Sequence, residues 1–203
     1  MIYEEYDILL FVMVLSDRDI KKALKTGFLK ITPAIDEKEQ LGSCSIDFRL
    51  GNRFRVFEHS KYAYIDPTKK DYSNEITREV VLKDSGEAFI MQPGDFALAV
   101  TMERIKIHPC LLGRLEGRSS MGRLGIVVHS TASVFEPGWD GQAVLELGNL
   151  GRLPVALYPG MRICAMTFEQ LSSEAETPYT KKKTAKYINQ SGPDESKIHS
   201  DKK

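Results

Sequence analysis

A chain of 203 residues, 42% hydrophobic and 28% charged, has material for one sizeable core and too little for two ordinary domains. Its 28 basic residues balance 28 acidic ones, so no global field draws it onto nucleic acid or an anionic membrane, and any anion site must be local. The cysteines, Cys44, Cys110 and Cys164, form neither a CxxC pair nor an even-numbered framework; they suit a reducing cytosol and read as small buried apolar residues.

The apolar run "ILLFVMVL" (8–15) is far shorter than the roughly 20 residues that span a bilayer. Glu4, Glu5 and Asp7 precede it where a signal peptide would be basic, so it reads as neither anchor nor signal. Met13 stands just before a self-contained helix signature, and residues 1–12 are therefore expected to be an N-terminal extension or to follow from an alternative start. In that signature Ser16 is the predicted N-cap, Asp17 and Asp19 fill the first turn, Ile20, Ala23 and Leu24 share a face, and Gly27 is the stop.

Beyond this helix the period changes. Residues 44–57, "CSIDFRLGNRFRVF", alternate apolar with polar or charged, as half-buried strands do. Similar runs at 79–84, 87–101, 124–132, 142–149 and 153–171 are predicted strands, separated by the turns Pro93-Gly94, Pro137-Gly138 and Pro159-Gly160. The pattern is that of an all-β barrel or sandwich, with no internal repeat. From about Ser172 the chain turns polar. Residues 193–203 are expected to be a solvated, flexible tail, whereas 178–190 hold Tyr179, Tyr187 and Ile188, more apolar surface than a linker needs.

Two stretches carry chemistry. "GRSSMGRLG" (117–125) nearly has the P-loop spacing, but Arg123 stands where lysine belongs and Leu124 where the Mg²⁺-binding hydroxyl belongs. A P-loop also opens a helix, and the run that follows reads as strand. What survives is a local cluster: Arg118, Ser119, Ser120 and Arg123 offer two guanidinium forks and two hydroxyls, either as an anion site or as an ordinary surface turn. In "AVLEL" the alternation puts Ala143, Leu145 and Leu147 on one face and Val144 and Glu146 on the other. Glu146 is then either on the solvent side of a strand or, if its face lines a closed pocket, a desolvated carboxylate fit to shuttle protons. Trp139, the sole tryptophan, reads as a core or rim aromatic.

Taken together and in order, "GRSSMGRLG", "HSTA", "PGW-D-G", "LELGN" and "LYPGM", with a "PY…AKY…NQ" tail, resemble the dCTP deaminase family, relatives of the trimeric dUTPases. The resemblance runs from about Leu15 to Gly192, within a domain taken as 13–192. It implies a mainly β fold, a distorted β-barrel of the dUTPase-like type with a short N-terminal helix, assembled as a cytoplasmic homotrimer with sites between subunits. It implies hydrolytic deamination of dCTP to dUTP and ammonia, with dTTP as a candidate feedback inhibitor. Residue by residue, Glu146 matches the catalytic carboxylate, Ser119 and Arg123 match groups that hold water, base and glutamate in place, and the Ala132 carbonyl matches a partner of the water. Arg118, Ser119, Ser120, Met121, Gly122 and Arg123 match the substrate-binding run. Glu136 matches a sugar-contacting position, Val144 and Leu145 the strand that reads the base edge, and Tyr179, Lys186 and Gln190 a tail that closes over the triphosphate.

Zinc deaminases of nucleobases carry H-x-E…P-C-x-x-C. Here the residues two places after His59, His108, His129 and His199 are Lys61, Cys110, Thr131 and Asp201, and there is no CxxC. The expectation is a zinc-free mechanism, with Mg²⁺ carried by the triphosphate. Within the family some members stop at dUTP and others continue to dUMP and pyrophosphate. Ser133-Val134 after "HSTA" fits neither pattern, and Glu136 replaces the usual Asp. The longer side chain favours deamination alone; a bifunctional enzyme or a non-catalytic nucleotide-sensing module on the same barrel are the alternatives.

Overall fold

The computed structural model describes residues 13–58, 63–69, 76–83 and 86–201. The expected extension at 1–12, His59 and Lys61 lie outside the described residues. The helix begins as its caps dictate: the Ser16 hydroxyl accepts the Asp19 backbone N–H ahead of α1 (Asp17–Thr26), and Gly27 closes it at φ 79°. Ile20 and Ala23 turn inward from it.

The remaining elements are β1 (Leu29–Thr32), a helical turn α2 (Glu37–Gln40), β2 (Ser45–Phe57), β3 (Thr77–Val81), β4 (Phe89–Met91) and β5 (Phe96–Ile107). There follow β6 (Leu111–Gly117), a single turn α3 (Ser119–Gly122), β7 (Ile126–Val127), β8 (Val134–Phe135), β9 (Asp140–Asn149), β10 (Val155–Leu157) and β11 (Arg162–Gln170). The main sheet is antiparallel, in the order β7-β9-β5-β2-β11-β6-β8, with β1 added to β5 and β3 to β2; β10 and β4 make a separate pair.

The two ends of that order, β7 and β8, are neighbours in sequence, and residues 128–133 join them. The Val128 carbonyl accepts the Glu146 N–H on β9 at 3.0 Å, and the Ser133 carbonyl accepts the Leu115 N–H on β6 at 2.8 Å. One short connection thus ties opposite edges of the sheet, which must curl into a distorted barrel, the mainly β fold expected from the sequence.

Alternation fills the interior. On β2, Ile46, Phe48, Leu50 and Phe54 are fully buried while Asp47, Arg49, Arg53 and Arg55 point outward. β5 is central and is buried on both faces from Ala97 to Thr101. Each large apolar side chain so placed contributes roughly 1.5–3 kcal/mol relative to exposure. Among the described residues one carboxylate is wholly buried: Glu103 accepts the Arg49 Nε at 2.6 Å, the Arg49 backbone N–H at 2.9 Å and the Gln40 amide at 3.1 Å. Full pairing is what makes its burial tolerable.

Several local expectations are corrected. Strands β1, β6 and β8 are additional to the predicted ones. Of 124–132 only Ile126–Val127 is strand, because Gly125 turns the chain at φ 87° against the Gly151 backbone. Only Cys164 of the three cysteines is buried; Cys110 is half-buried beside His108, and Cys44 is exposed just ahead of β2. Residues 192–195 pack onto the barrel, where the expected solvated tail was to begin at 193: Gly192 and Pro193 are buried, and Glu195 pairs with Arg55 of β2 at 2.6 Å, while Ser196, Ile198, Ser200 and Asp201 are exposed.

Candidate active site

The face of β9 opposite the core meets a cavity of about 320 Å³. Ala143, Leu145 and Leu147 are wholly buried in the core, and Val144 and Glu146 line the cavity, as the alternation of "AVLEL" requires. The segment that closes the sheet supplies Ala132, Val134, Phe135 and Glu136. The C-terminal segment supplies Tyr179, Tyr187, Gln190 and Ser196 as the opposite wall.

Backbone geometry brings those walls together at one turn. Gly138 has φ 81°, and a Cβ there would lie 2.6 Å from the Pro178 side chain, so only glycine lets the C-terminal segment descend. Directly beside it the Tyr179 N–H donates to the Pro137 carbonyl at 2.8 Å. Trp139 follows as a buried rim aromatic, edge-on to Phe135 at 4.9 Å and tilted against Tyr179 at 5.3 Å, its indole N–H donating to the Gly141 carbonyl.

Glu146 is held at two points. Its own N–H is bonded to Val128, and its Oε2 accepts the Ser130 N–H at 2.7 Å. A half-buried carboxylate fixed by a backbone donor, facing aromatic and aliphatic walls, can exchange protons with a flat heterocycle laid against Val144. Glu136, at the mouth, takes Lys182 Nζ on both oxygens at 3.1 and 3.2 Å; each side chain is 43% exposed, so this pair adds at most about 1 kcal/mol.

The other sequence-derived positions lie elsewhere. Arg118 is committed to Asp47, Nε to Oδ2 at 3.0 Å, and to the Arg162 carbonyl at 3.0 Å. Ser119, Ser120, Gly122 and Arg123 are exposed and line no part of the cavity, and Met121 is buried in the core. The α3 turn also consumes amides a phosphate would need: the N–H groups of Met121 and Gly122 donate to the Arg118 carbonyl and that of Arg123 to Ser119. The P-loop is therefore denied by a closed one-turn helix rather than by a long following strand. Leu145 can offer a ligand only backbone, and Lys186 pairs with Asp201 at 2.6 Å outside the cavity. Conversely, Lys182, Phe135 and Ser196 enter the site without a sequence signal, while Ser130 and Tyr187 are marked only by their places in the "HSTA" and "AKY" motifs, with no role attached.

Among the described residues the cavity wall holds two carboxylates and neither arginine nor lysine. A site so lined can handle protons but carries no cationic group of its own for an anion.

A family model described as dCTP deaminase-like matches residues 14–171. The chain is similar to the curated dCTP deaminase of Thermomicrobium roseum, at 60% identity over 186 residues, 92% of this chain and 94% of that protein. It is similar also to the dCTP deaminase, dUMP-forming, of Dictyoglomus thermophilum, at 51% identity over 189 residues, 93% of this chain and 96% of that protein. Among solved structures, the 2'-deoxycytidine 5'-triphosphate deaminase of Agrobacterium tumefaciens superposes with a TM-score of 0.61 at 22% identity, covering 79% of this chain and 49% of that one, a likeness of fold. With most of its length matched by the family model and by curated enzymes, the chain belongs to the dCTP deaminase-like family.

Proposed function

We propose that this enzyme hydrolyses dCTP to dUTP and ammonia, with Glu146 as the proton shuttle. The observation that carries the reading is the cavity-facing Glu146 carboxylate, pinned by Ser130 in a chain 60% identical to a curated dCTP deaminase. Water adds to C4 of cytosine as Glu146 takes its proton and delivers it to N3. The tetrahedral adduct then collapses: the C4–N bond breaks as the proton of the new C4 hydroxyl passes to the departing amino group, so that ammonia leaves and C4 becomes the carbonyl of dUTP. Ala132, at the cavity wall, would fix the attacking water through its carbonyl, and Val144 with the β9 backbone would seat the base. Glu136 would meet the sugar, and Tyr179 and Gln190 would cover the nucleotide.

Triphosphate needs cations, and none lines this chain's own cavity among the described residues. A homotrimer in which Ser119, Ser120 and Arg123 of a neighbouring subunit complete the site accounts for their exposure and their absence from the cavity wall, with Arg118, half-buried against Asp47, joining them from the same turn. Lys186 would join them once released from Asp201. The described residues include no cluster of three metal-ligating side chains, so Mg²⁺ enters this proposal as an ion borne by the phosphates. No helix among the described residues is long and apolar enough to cross a membrane. A role in deoxynucleotide supply would place the enzyme in the cytoplasm, and dTTP, as the end product, is the proposed feedback inhibitor.

We favour deamination without diphosphate cleavage. Glu136 is one methylene longer than aspartate and is tied to Lys182, a poor arrangement for aiming water at an α-phosphate. The competing reading rests on similarity to proteins named dUMP-forming, at 51% and 49% identity. Purified enzyme supplied with dCTP should release ammonia and accumulate dUTP; pyrophosphate appearing in step with ammonia would convert the assignment to the bifunctional one, and absence of ammonia would leave only a nucleotide-binding module.

A further inference from the structure

The C-terminal segment is fastened to the barrel by arginines that belong to no part of the site. Gln190, buried at the cavity, is seated first: its carbonyl accepts the Gln142 N–H at 3.0 Å, and the preceding Asn189 offers its Oδ1 to Arg104 at 2.9 Å. The chain then leaves the cavity and crosses the outer face of β2, where Arg53 and Arg55 stand two residues apart on either side of the buried Phe54. Arg53 donates Nη1 to the Ser191 carbonyl at 3.2 Å while its Nε holds Glu79 at 2.6 Å, keeping that carboxyl below its ordinary pKa. Gly192, at φ 115°, lies flat on the same guanidinium; a Cβ there would sit 2.6 Å from Nη1.

Arg55 spends its fork on three acceptors at once. Its Nε bonds the Pro193 carbonyl at 2.9 Å, and its Nη1 bonds the Thr77 hydroxyl at 3.0 Å and the Glu195 carboxylate at 2.6 Å, Glu195 also accepting from Thr77. Both charged side chains are more than four-fifths shielded, so the pair is stronger than a surface one. From this anchor the chain returns to the cavity at Ser196, and the Lys197 N–H donates to the Tyr187 hydroxyl. The tail is a strap with the cavity at both ends and Arg55 at its middle.

We propose that Arg53 and Arg55 are positioning residues for nucleotide binding: by latching residues 191–195 to β2 they hold Gln190 and Ser196 over the cavity. This rests on the functional reading above. An ordered strap costs conformational freedom, and without the latch that cost falls on the substrate, which must order the tail as it binds. The effect therefore belongs in KM and leaves the proton shuttle at Glu146 alone.

The test compares wild type with Arg55→Ala, Arg55→Lys and Glu195→Ala, in the full-length protein. Loss of one charge-assisted anchor should raise KM for dCTP about tenfold in Arg55→Ala with kcat within about twofold. Arg55→Lys, which keeps the charge and loses the fork, should fall between, and Arg55→Ala combined with Glu195→Ala should be no worse than Arg55→Ala alone. Trypsin should cut the tail at Lys186 or Lys197 faster in Arg55→Ala, with dCTP restoring protection. An unchanged KM overturns the inference, and so does a fall in kcat as large as the rise in KM, both tracking a lowered Tm. If wild type fails to deaminate dCTP, that failure belongs to the functional reading, and trypsin decides the latch by itself: equal cleavage of wild type and Arg55→Ala overturns it.

Discussion

The backbone N–H of Ser130 and the Oε2 of Glu146 lie 2.7 Å apart, and this bond joins the segment that closes the barrel to the group that would move protons. Because Val128, two residues earlier, accepts the Glu146 N–H, strand and loop hold each other at two points. The loop that seals the sheet is thereby also the loop that orients the carboxylate.

Replacing that carboxylate by its neutral isostere keeps an acceptor for Ser130 and removes the shuttle. Glu146→Gln should lower kcat for dCTP deamination by about 10³-fold, within the range for a lost general acid–base. Its affinity for dCTP, read by calorimetry, should stay within about threefold of wild type, since the shuttle acts in the transition state and not in ground-state binding. Full activity in this variant would remove Glu146 from the mechanism.

The exposed Ser119–Arg123 turn and the cation-free cavity together make a mixing experiment informative. Ser119→Ala and Glu146→Gln should each be inactive alone. Co-refolded in equal amounts, they should recover about a quarter of the wild-type rate if each site takes its turn from one subunit and its glutamate from another in a cyclic trimer. Sites confined to single subunits would give no recovery, and light scattering on the same samples reads the assembly directly.

Trp139 reports on the tail, being the sole tryptophan and packed 5.3 Å from Tyr179. Ending the chain before Tyr179 should shift Trp139 emission to the red and raise KM for dCTP by about tenfold, because the same segment packs on the indole and walls the cavity. Identical emission and kinetics would reduce residues 179–201 to a decorative end.

Thiol chemistry distinguishes the three cysteines. Burial pushes the Cys164 thiol far up, and burial also raises Cys110, so both stay protonated at pH 8, below their folded pKa values. Since the thiolate is the reactive form, Cys44, exposed ahead of β2, should react promptly with an aromatic disulfide and the other two slowly. Titration should count one fast thiol in native protein and three in denaturant.

Local rules made much of this legible. Capping residues bound α1 at Ser16 and Gly27, and a period of two alone places Glu146 opposite Ala143, Leu145 and Leu147. Both depend on residues within a few positions of one another, so neither needs the fold to be solved. Strands β6 and β8 were less legible, because β8 is only two residues long and β6 carries glycine at 113 and 117, so that pairing across the sheet holds them extended; β1 is only four residues long, too short for its alternation to stand out.

The site itself is divided in the same way. Residue type and order assigned Glu146, Glu136 and the Ser119–Arg123 turn to one chemistry by resemblance, yet only the tertiary structure decided that Glu146 shares a cavity with Tyr187 and Ser196, that Glu136 is tied to Lys182, and that Arg118 is committed to Asp47. The clearest case is the tail. Polar composition over 193–203 reads as solvated chain, but Arg55 and Glu195, 140 residues apart, supply the partner that composition cannot reveal. Side-chain alternation and capping are encoded locally; pairing across the barrel exists only after the sheet has curled and brought distant segments within hydrogen-bond reach.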